Sequence, residues 1–308
     1  MKKIIPFYFS LLPCLAFAQQ ANEIYLFDML VKKDKIIVSN PQNITNHKGY
    51  DNQPFFHPTK PIIYYTSEID SNNTDIKYYN YKTKKTYQFT NTPQLCEYSP
   101  TVTPDGKYIS CIIQRPNGRQ DLCKYPIKNE NDSSIVLINN LKVGYHTWID
   151  KSNLLLFILG DSSNDLHYYN IDTKTDTILA KKIGRAMHKI PNENAMSFVD
   201  KSDDSIFIVK NFDLDSNKIS SLAKMYKNED LAWLKNGSIL ESNGEKMYYF
   251  WPLRFVDFGK INDWNGKGDR FKILAEPVYI KGDKSMLKKI TRIAVNAKNN
   301  KVAIVVAE

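Results

Sequence analysis

Short apolar runs alternate with polar turns along most of the chain, and the alternation repeats at a nearly constant interval. Residues 53 to 92 run through a short apolar strand, a Pro-containing turn, an apolar strand, a polar loop, an alternating strand, a Lys- and Asn-containing turn and a final strand. Residues 99 to 140 follow the same order, as do 145 to 180 and 187 to 223. A fifth copy starts at Leu231 and is interrupted after Pro252 by a Gly- and Asp-containing segment before its outer strand resumes. Each copy predicts four strands, because short apolar runs bounded by turn residues fit strands better than helices. Helical periodicity is nearly absent.

With Phe56, Val102, Trp148, Ile190, Trp233 and Ala294 as equivalent positions, the spacings are 46, 46, 42, 43 and 61 residues. A four-stranded propeller blade takes roughly 40 to 45 residues, and the excess of the last interval matches an insertion at residues 253–270. Residues 290 to 307 hold only two inner strands, while residues 23 to 39 read as the two outer strands of a unit. The prediction is an all-β, six-bladed β-propeller over residues 19–308, with its last blade shared between the two terminal segments so that the ring closes. Closure leaves only short outer edges unpaired, which limits edge-to-edge association. A two-sheet sandwich would explain neither the constant repeat length nor the divided unit.

The turns carry a finer signature. Ser99-Pro100 precedes one strand and Thr103-Pro104-Asp105-Gly106-Lys107 leads into the next, with Pro fixing the first turn position and Gly taking the positive φ. Pro58-Thr59-Lys60, Asn296 to Lys301 and Asp150 to Asn153 are degenerate versions. This pattern resembles the repeats of the TolB-like propellers, the WD-like periplasmic repeat family, over about 280 residues. The resemblance implies a six-bladed propeller in the periplasm that serves as a docking platform for envelope proteins. TolB-type proteins carry a separate α/β domain ahead of the propeller, and here only a few residues separate the expected leader from the first strand. The resemblance therefore speaks to architecture more than to the family's own task.

Lys2 and Lys3, an apolar stretch from Ile4 to Phe17, and Ala16-Phe17-Ala18 before Gln19 have the order of a secretory signal at residues 1–18, cleaved after Ala18. The apolar stretch is shorter than the roughly 20 residues of a spanning helix and contains Pro6 and Pro13, so a periplasmic or secreted protein that does not span the membrane is expected. The net charge of +9 is spread along the chain rather than blocked, which fits solubility and not nucleic-acid binding. Beyond the leader lie Cys96, Cys111 and Cys123, without C-x-x-C or Cys/His metal spacing. Cys111 and Cys123 fall on neighbouring predicted strands, where a disulfide and two buried free thiols both fit.

No G-x-S-x-G, H-E-x-x-H, P-loop or EF-hand pattern is present, and no cofactor is expected. Asp161 to Asp165 and Asp203-Asp204 read as hairpin turns, and Gly266-x-Gly268 lacks the strand-to-helix context of a nucleotide site. The residues that lead into each innermost strand are more informative, since six such segments converge at the mouth of a propeller channel. They supply Asp51 and Asn52, Glu97 and Tyr98, Tyr145 and His146, Arg185 and His188, Glu229 and Asp230, and Arg292. These groups fit a ligand-binding mouth, and they equally fit ion pairs between blades with tyrosines packed between sheets. The leading expectation is a monomeric binding or scaffolding module for an envelope protein or peptide, with no metal. The alternative is a hydrolase or lactonase with a divalent ion on Asp51, Glu97, His146 and His188. Trp148 and Trp233 read as core or channel plugs, and Trp251 and Trp264 as exposed contacts beside and within the insertion.

Overall fold

The computed structural model describes residues 21–33, 35–70, 73–128, 133–226, 228–252, 276–282, 285 and 287–308. The expected leader, the 253–270 insertion with Trp264, and Gly266-x-Gly268 lie outside the described residues.

The chain opens with β1 (Asn22–Val31) and β2 (Ile36–Asn43), and the repeats follow. The first repeat is β3 (Asp51–Phe56), β4 (Ile62–Asp70), β5 (Asn73–Asn80) and β6 (Lys85–Gln88); the second is β7 (Cys96–Val102), β8 (Tyr108–Gln114), β9 (Gln120–Pro126) and β10 (Ile135–Ile138). The third is β11 (Val143–Trp148), β12 (Asn153–Ile158), β13 (Asp165–Asn170) and β14 (Thr175–Ala180). The fourth is β15 (Ile183–Lys189), β16 (Ala195–Asp203), β17 (Ile206–Asp213) and β18 (Ile219–Met225). The fifth is β19 (Leu231–Trp233), β20 (Ile239–Ser242), β21 (Met247–Phe250) and β22 (Glu276–Pro277), and the chain ends with β23 (Tyr279–Ile280), β24 (Ile290–Val295) and β25 (Lys301–Ala307). The described residues are all-β, and each repeat pairs its strands antiparallel in sequence order. The first two repeats share one eight-stranded sheet through a single parallel pair, Thr74 with Cys96.

The terminal segments meet in one sheet of order β23-β2-β1-β25-β24. β1 runs antiparallel to β25 from Asn22 opposite Ala307 to Asp28 opposite Lys301, where the Lys301 ammonium pairs with the Asp28 carboxylate. The outer pair at the start of the chain is thus completed by the inner pair at its end.

Burial explains why the second strand of each repeat is apolar without alternation. Side chains of a strand point to opposite faces in turn, so consecutive buried residues require cover on both sides. Leu154, Leu155 and Leu156 of β12 are all fully buried, as are Ile109, Ser110 and Cys111 of β8. The outermost strands have no such cover: all four residues of β6, Lys85 to Gln88, are exposed and mostly polar. Each core cluster lies between consecutive units. Ile112 and Leu122 pack on Val143, Leu154 and Leu156, and Leu155 and Phe157 pack in turn on Met187, Met196 and Phe198. Ile24, Leu26, Ala303 and Val305 of the terminal sheet pack on Phe56, Ile63 and Tyr65 of the first repeat. Truncating one such residue, Leu155→Ala for instance, removes contacts worth about 2–5 kcal/mol.

The Thr103 to Lys107 turn forms as its sequence dictates. Gly106 takes φ 69° and donates its N–H to Thr103 O at 2.8 Å, while Asp105 Oδ1 accepts from Thr103 Oγ1 at 2.6 Å and from Lys107 N at 3.0 Å. In the degenerate copy Asn299 takes the left-handed conformation, at φ 54°, a role open to Asn because its short polar side chain tolerates that region. Cys111 and Cys123 stand opposite one another on β8 and β9 as buried free thiols.

Candidate functional site

Five of the six innermost strands share an irregularity that decides which side chains face the centre, β19 alone pairing in unbroken register. Register shifts fall between Asn52 and Phe55 in β3, Tyr98 and Thr101 in β7, Val143 and Tyr145 in β11, Ile183 and Met187 in β15, and Ile290 and Arg292 in β24. Gln53 and Ser99 absorb the extra residue at positive φ, 57° and 56°. A bulge re-aims the side chains that follow it. Ahead of the shifts, Asp51, Glu97, Val143, Ile183 and Ile290 are buried. Within or just past them, Gln53, Ser99, Tyr145, Arg185 and Arg292 line a central cavity of about 390 Å³.

The sequence-derived candidates therefore separate into two groups. Tyr145, His146, Arg185, His188, Asp230 and Arg292 line the cavity. Asp51, Asn52, Glu97, Tyr98 and Glu229 are not among its lining residues. Asp51 is fully buried and meets His47 Nδ1 at 3.1 Å; burial raises its pKa against the opposing pull of Ser67, His47 and Lys77. Glu97 accepts hydrogen bonds from Thr90 Oγ1 and Tyr125 OH, each at 2.9 Å, and from Thr92 Oγ1. Burial pushes its carboxyl up to about 8, with the Asp75 charge adding to the rise and the Thr92, Tyr125 and Thr90 bonds opposing it. Asn52 Oδ1 accepts from Gln53 N at 2.7 Å, which holds the bulge. Tyr98 packs edge-on to Tyr50 with ring centroids 6.5 Å apart, and Glu229 pairs with Lys201.

Around the cavity the charges are close but loosely joined. Asp230 Oδ2 lies 3.5 Å from Arg185 Nε and 3.6 Å from Arg292 Nη1, while its Oδ1 accepts from Ile293 N at 3.3 Å. Arg292 Nη2 donates to Tyr145 OH at 2.8 Å and Arg185 Nη2 donates to Thr291 O at 2.7 Å. Gln53 Oε1 accepts from Thr66 Oγ1 at 2.8 Å and from Ser99 N at 2.7 Å, and the Gln53 side chain also helps to lower the Tyr145 pKa. Burial raises the Tyr145 pKa, but Arg292, Arg185 and these bonds outweigh it and hold the phenol below its usual range. Tyr50 is pushed up to about 12 by burial despite Arg292 and Arg185.

The two histidines are neutral groups here. Burial takes His146 down to about 3, and its Nε2 meets Ser110 Oγ at 2.8 Å. Burial also lowers His188, with Asp230 and a backbone bond to Leu231 opposing. The four residues of the metal alternative turn to separate partners, and among the described residues no group of three or more His, Cys, Asp or Glu side chains is placed to hold a metal ion.

Thr101, Thr147, Met187, Lys189 and Trp233 complete the wall from positions further along the inner strands. Their signal was the two-residue alternation counted from the bulge, and the bulge itself has no sequence mark beyond Gln53 and Ser99 at positive φ. Trp251 is exposed at the edge of the fifth unit.

No protein-family model matches the chain, and no curated protein matches it. Solved structures do. The candidate TolB of Agrobacterium tumefaciens superposes with a TM-score of 0.64 at 11% identity, covering 94% of this chain and 99% of that one. TolB from Acinetobacter baumannii gives 0.56 at 14% identity over 75% of this chain, which spans 61% of that protein's length. An oligogalacturonate lyase in complex with manganese gives 0.55 at 11% identity, over 87% of this chain and 80% of that one. No helix among the described residues is long and apolar enough to cross a membrane. With its all-β units and these neighbours, the chain has the fold of the TolB-like β-propellers.

Proposed function

We propose that this chain is an exported, six-bladed TolB-like propeller that binds a peptide segment of an envelope protein in its central cavity. The observation that carries the reading is the cavity itself. Inner strands of every unit contribute to its wall, and its charged groups stop short of a closed ionic lattice, because Asp230 reaches both arginines only at 3.5 and 3.6 Å. Concave sites of about 300 to 1,000 Å³ are the usual size for ligand pockets, and 390 Å³ falls at the lower end, suited to a side chain or chain end rather than a folded surface. Six blades with a ring closed between β1 and β25 are supported by core clusters that join each unit to the next and the terminal sheet to the first repeat. Export is supported by the leader pattern of residues 1–18, and a mature N-terminus at Gln19, read by mass spectrometry, is its test.

Peptides selected from a displayed random library on the purified protein test the binding reading. They are expected to lose at least tenfold in affinity for Thr101→Trp, which fills the cavity with an indole while leaving the sheets in place. Undiminished affinity for that variant, with its thermal unfolding unchanged, would place the binding surface elsewhere.

A further inference from the structure

We propose that Arg185, Arg292 and Tyr145 form a subsite for a single carboxylate, the chain end or an acidic side chain of the bound peptide. This rests on the reading of the central cavity as the peptide site.

The first argument is charge. Two guanidinium groups face one carboxylate, Asp230, which holds both at the long distances of 3.5 and 3.6 Å and also serves Ile293 N. One positive charge is left over in a setting where Arg292 is only 13% exposed at its side chain and Arg185 25%. A buried, incompletely paired charge is costly unless a counter-charge arrives. The neighbouring histidines add none, being neutral through burial.

The second argument is unspent hydrogen-bonding capacity. Arg185 Nε is buried and makes no hydrogen bond among the described residues, its ion-pair partner Asp230 Oδ2 standing off at 3.5 Å. The Tyr145 oxygen accepts from Arg292, so its own O–H is left to donate. A guanidinium fork with an adjacent phenol O–H matches the planar, two-oxygen geometry of a carboxylate. A single excess charge also matches a carboxylate better than a phosphate dianion. Lys189, the other cationic residue in the lining, is exposed at the far end of β15.

The third argument is position. The three residues come from β11, β15 and β24, on different units, and each lies within or just past the register shift of its strand. The bulges aim them at one point, whereas the residues before the shifts are turned into the sheets.

The test uses the full mature chain and four probes: N-acetyl-trialanine as free acid and as amide, and N-acetyl-Ala-Glu-Ala amide against its Gln counterpart. The readout is the indole N–H signal of Trp233, one of four tryptophans, which lines the cavity. At least one acid is expected to bind tenfold more tightly than its neutral partner, and which pair discriminates tells chain end from side chain. Arg185→Gln and Arg292→Lys are expected to remove most of that preference, and Asp230→Asn, which frees the second guanidinium, to strengthen binding about threefold. Equal binding of acids and neutral partners by the wild type would overturn the subsite, and so would tighter binding of inorganic phosphate than of any acid. If the library-selected peptides still distinguish Thr101→Trp, either result leaves the cavity standing as the peptide site. Loss of that distinction instead removes the underlying reading.

Discussion

The indole Nε1 of Trp233 donates a hydrogen bond to Ser197 Oγ at 2.8 Å, from the inner strand of the fifth unit to the second strand of the fourth. The same contact recurs two units earlier, where Trp148 Nε1 donates to Ser110 Oγ at 2.9 Å. Each pair ties one unit to the one before it through a polar bond set within apolar packing. Such bonds fix the rotation of neighbouring sheets, because a buried indole N–H without a partner is costly.

Ser197→Ala is therefore expected to destabilise the protein by about 1–3 kcal/mol, the cost of orphaning a buried donor. Ser110→Ala should cost more, since Ser110 Oγ also meets His146 Nε2 at 2.8 Å. Urea unfolding of the two variants, with Trp233→Phe and Trp148→Phe to close double-mutant cycles, checks the order. Equal, negligible losses would mean that water replaces the serines without penalty.

These pairs mark the limit of what the sequence carried. The repeat, the turn at Thr103 to Lys107 and the equivalence of Trp148 and Trp233 are legible because they depend on periodic burial and local backbone chemistry. The serine partners are not, because a serine inside an apolar strand has the same appearance whether it bonds its own backbone or a neighbouring unit. At the candidate site, Tyr145, Arg185, Asp230 and Arg292 were legible as polar groups at strand starts. What hid the division between Tyr145, Arg185 or Arg292 and Asp51 or Glu97 was the bulge. One extra residue reverses the alternation, so groups adjacent in sequence end on opposite sides of the sheet.

Buried carboxyls are expected to make stability fall as pH rises through neutrality. Glu97 and Glu241 are each pushed by burial up to about 8. A carboxyl with its folded pKa above the unfolded value keeps its proton in the native state while the unfolded chain loses it, so stability declines from the unfolded pKa up to the folded one. His146 and His188 act in the opposite sense, being lowered by burial, but their contribution is complete above the ordinary histidine value of about 6.5. Between about pH 6.5 and 8 the two glutamates thus set a negative slope. Glu97→Gln is expected to remove about half of it in urea midpoints measured across that window. An unchanged slope would assign it to other groups.

Tyr145 should ionise earlier than the protein's other buried phenols. Its pKa is lowered, with Arg292 as the largest opposing force to burial, whereas burial pushes Tyr50 and Tyr64 up to about 12. Absorbance titration of the wild type against Tyr145→Phe should show the difference of one phenol concentrated below pH 10. In Arg292→Gln the same phenol should move to higher pH. A difference curve centred well above pH 10 in the wild type would contradict the geometry of the Arg292 to Tyr145 bond.

The pairing of β1 with β25 offers the strongest single test of the proposed ring closure. Asp28 and Lys301 are register partners whose side chains already meet on the partly exposed side of that ladder. Replacing both by cysteine loses an exposed ion pair worth at most about 1 kcal/mol and places two thiols across an antiparallel pair. The bond would close a loop containing nearly the whole domain, for which the chain-entropy account gives on the order of 5 kcal/mol, with measured gains commonly smaller. The oxidised double variant is expected to form the cross-link under mild oxidant, mapped by peptide mass spectrometry, and to unfold at least several degrees above its reduced form. If the ring closes as proposed, β1 and β25 are held together by non-covalent pairing alone among the described residues, and opening there is the expected first step of unfolding. The oxidised form should therefore also unfold more slowly in urea. Failure to cross-link would mean that the two terminal strands do not lie side by side in solution, and the six-bladed closure would fall with them.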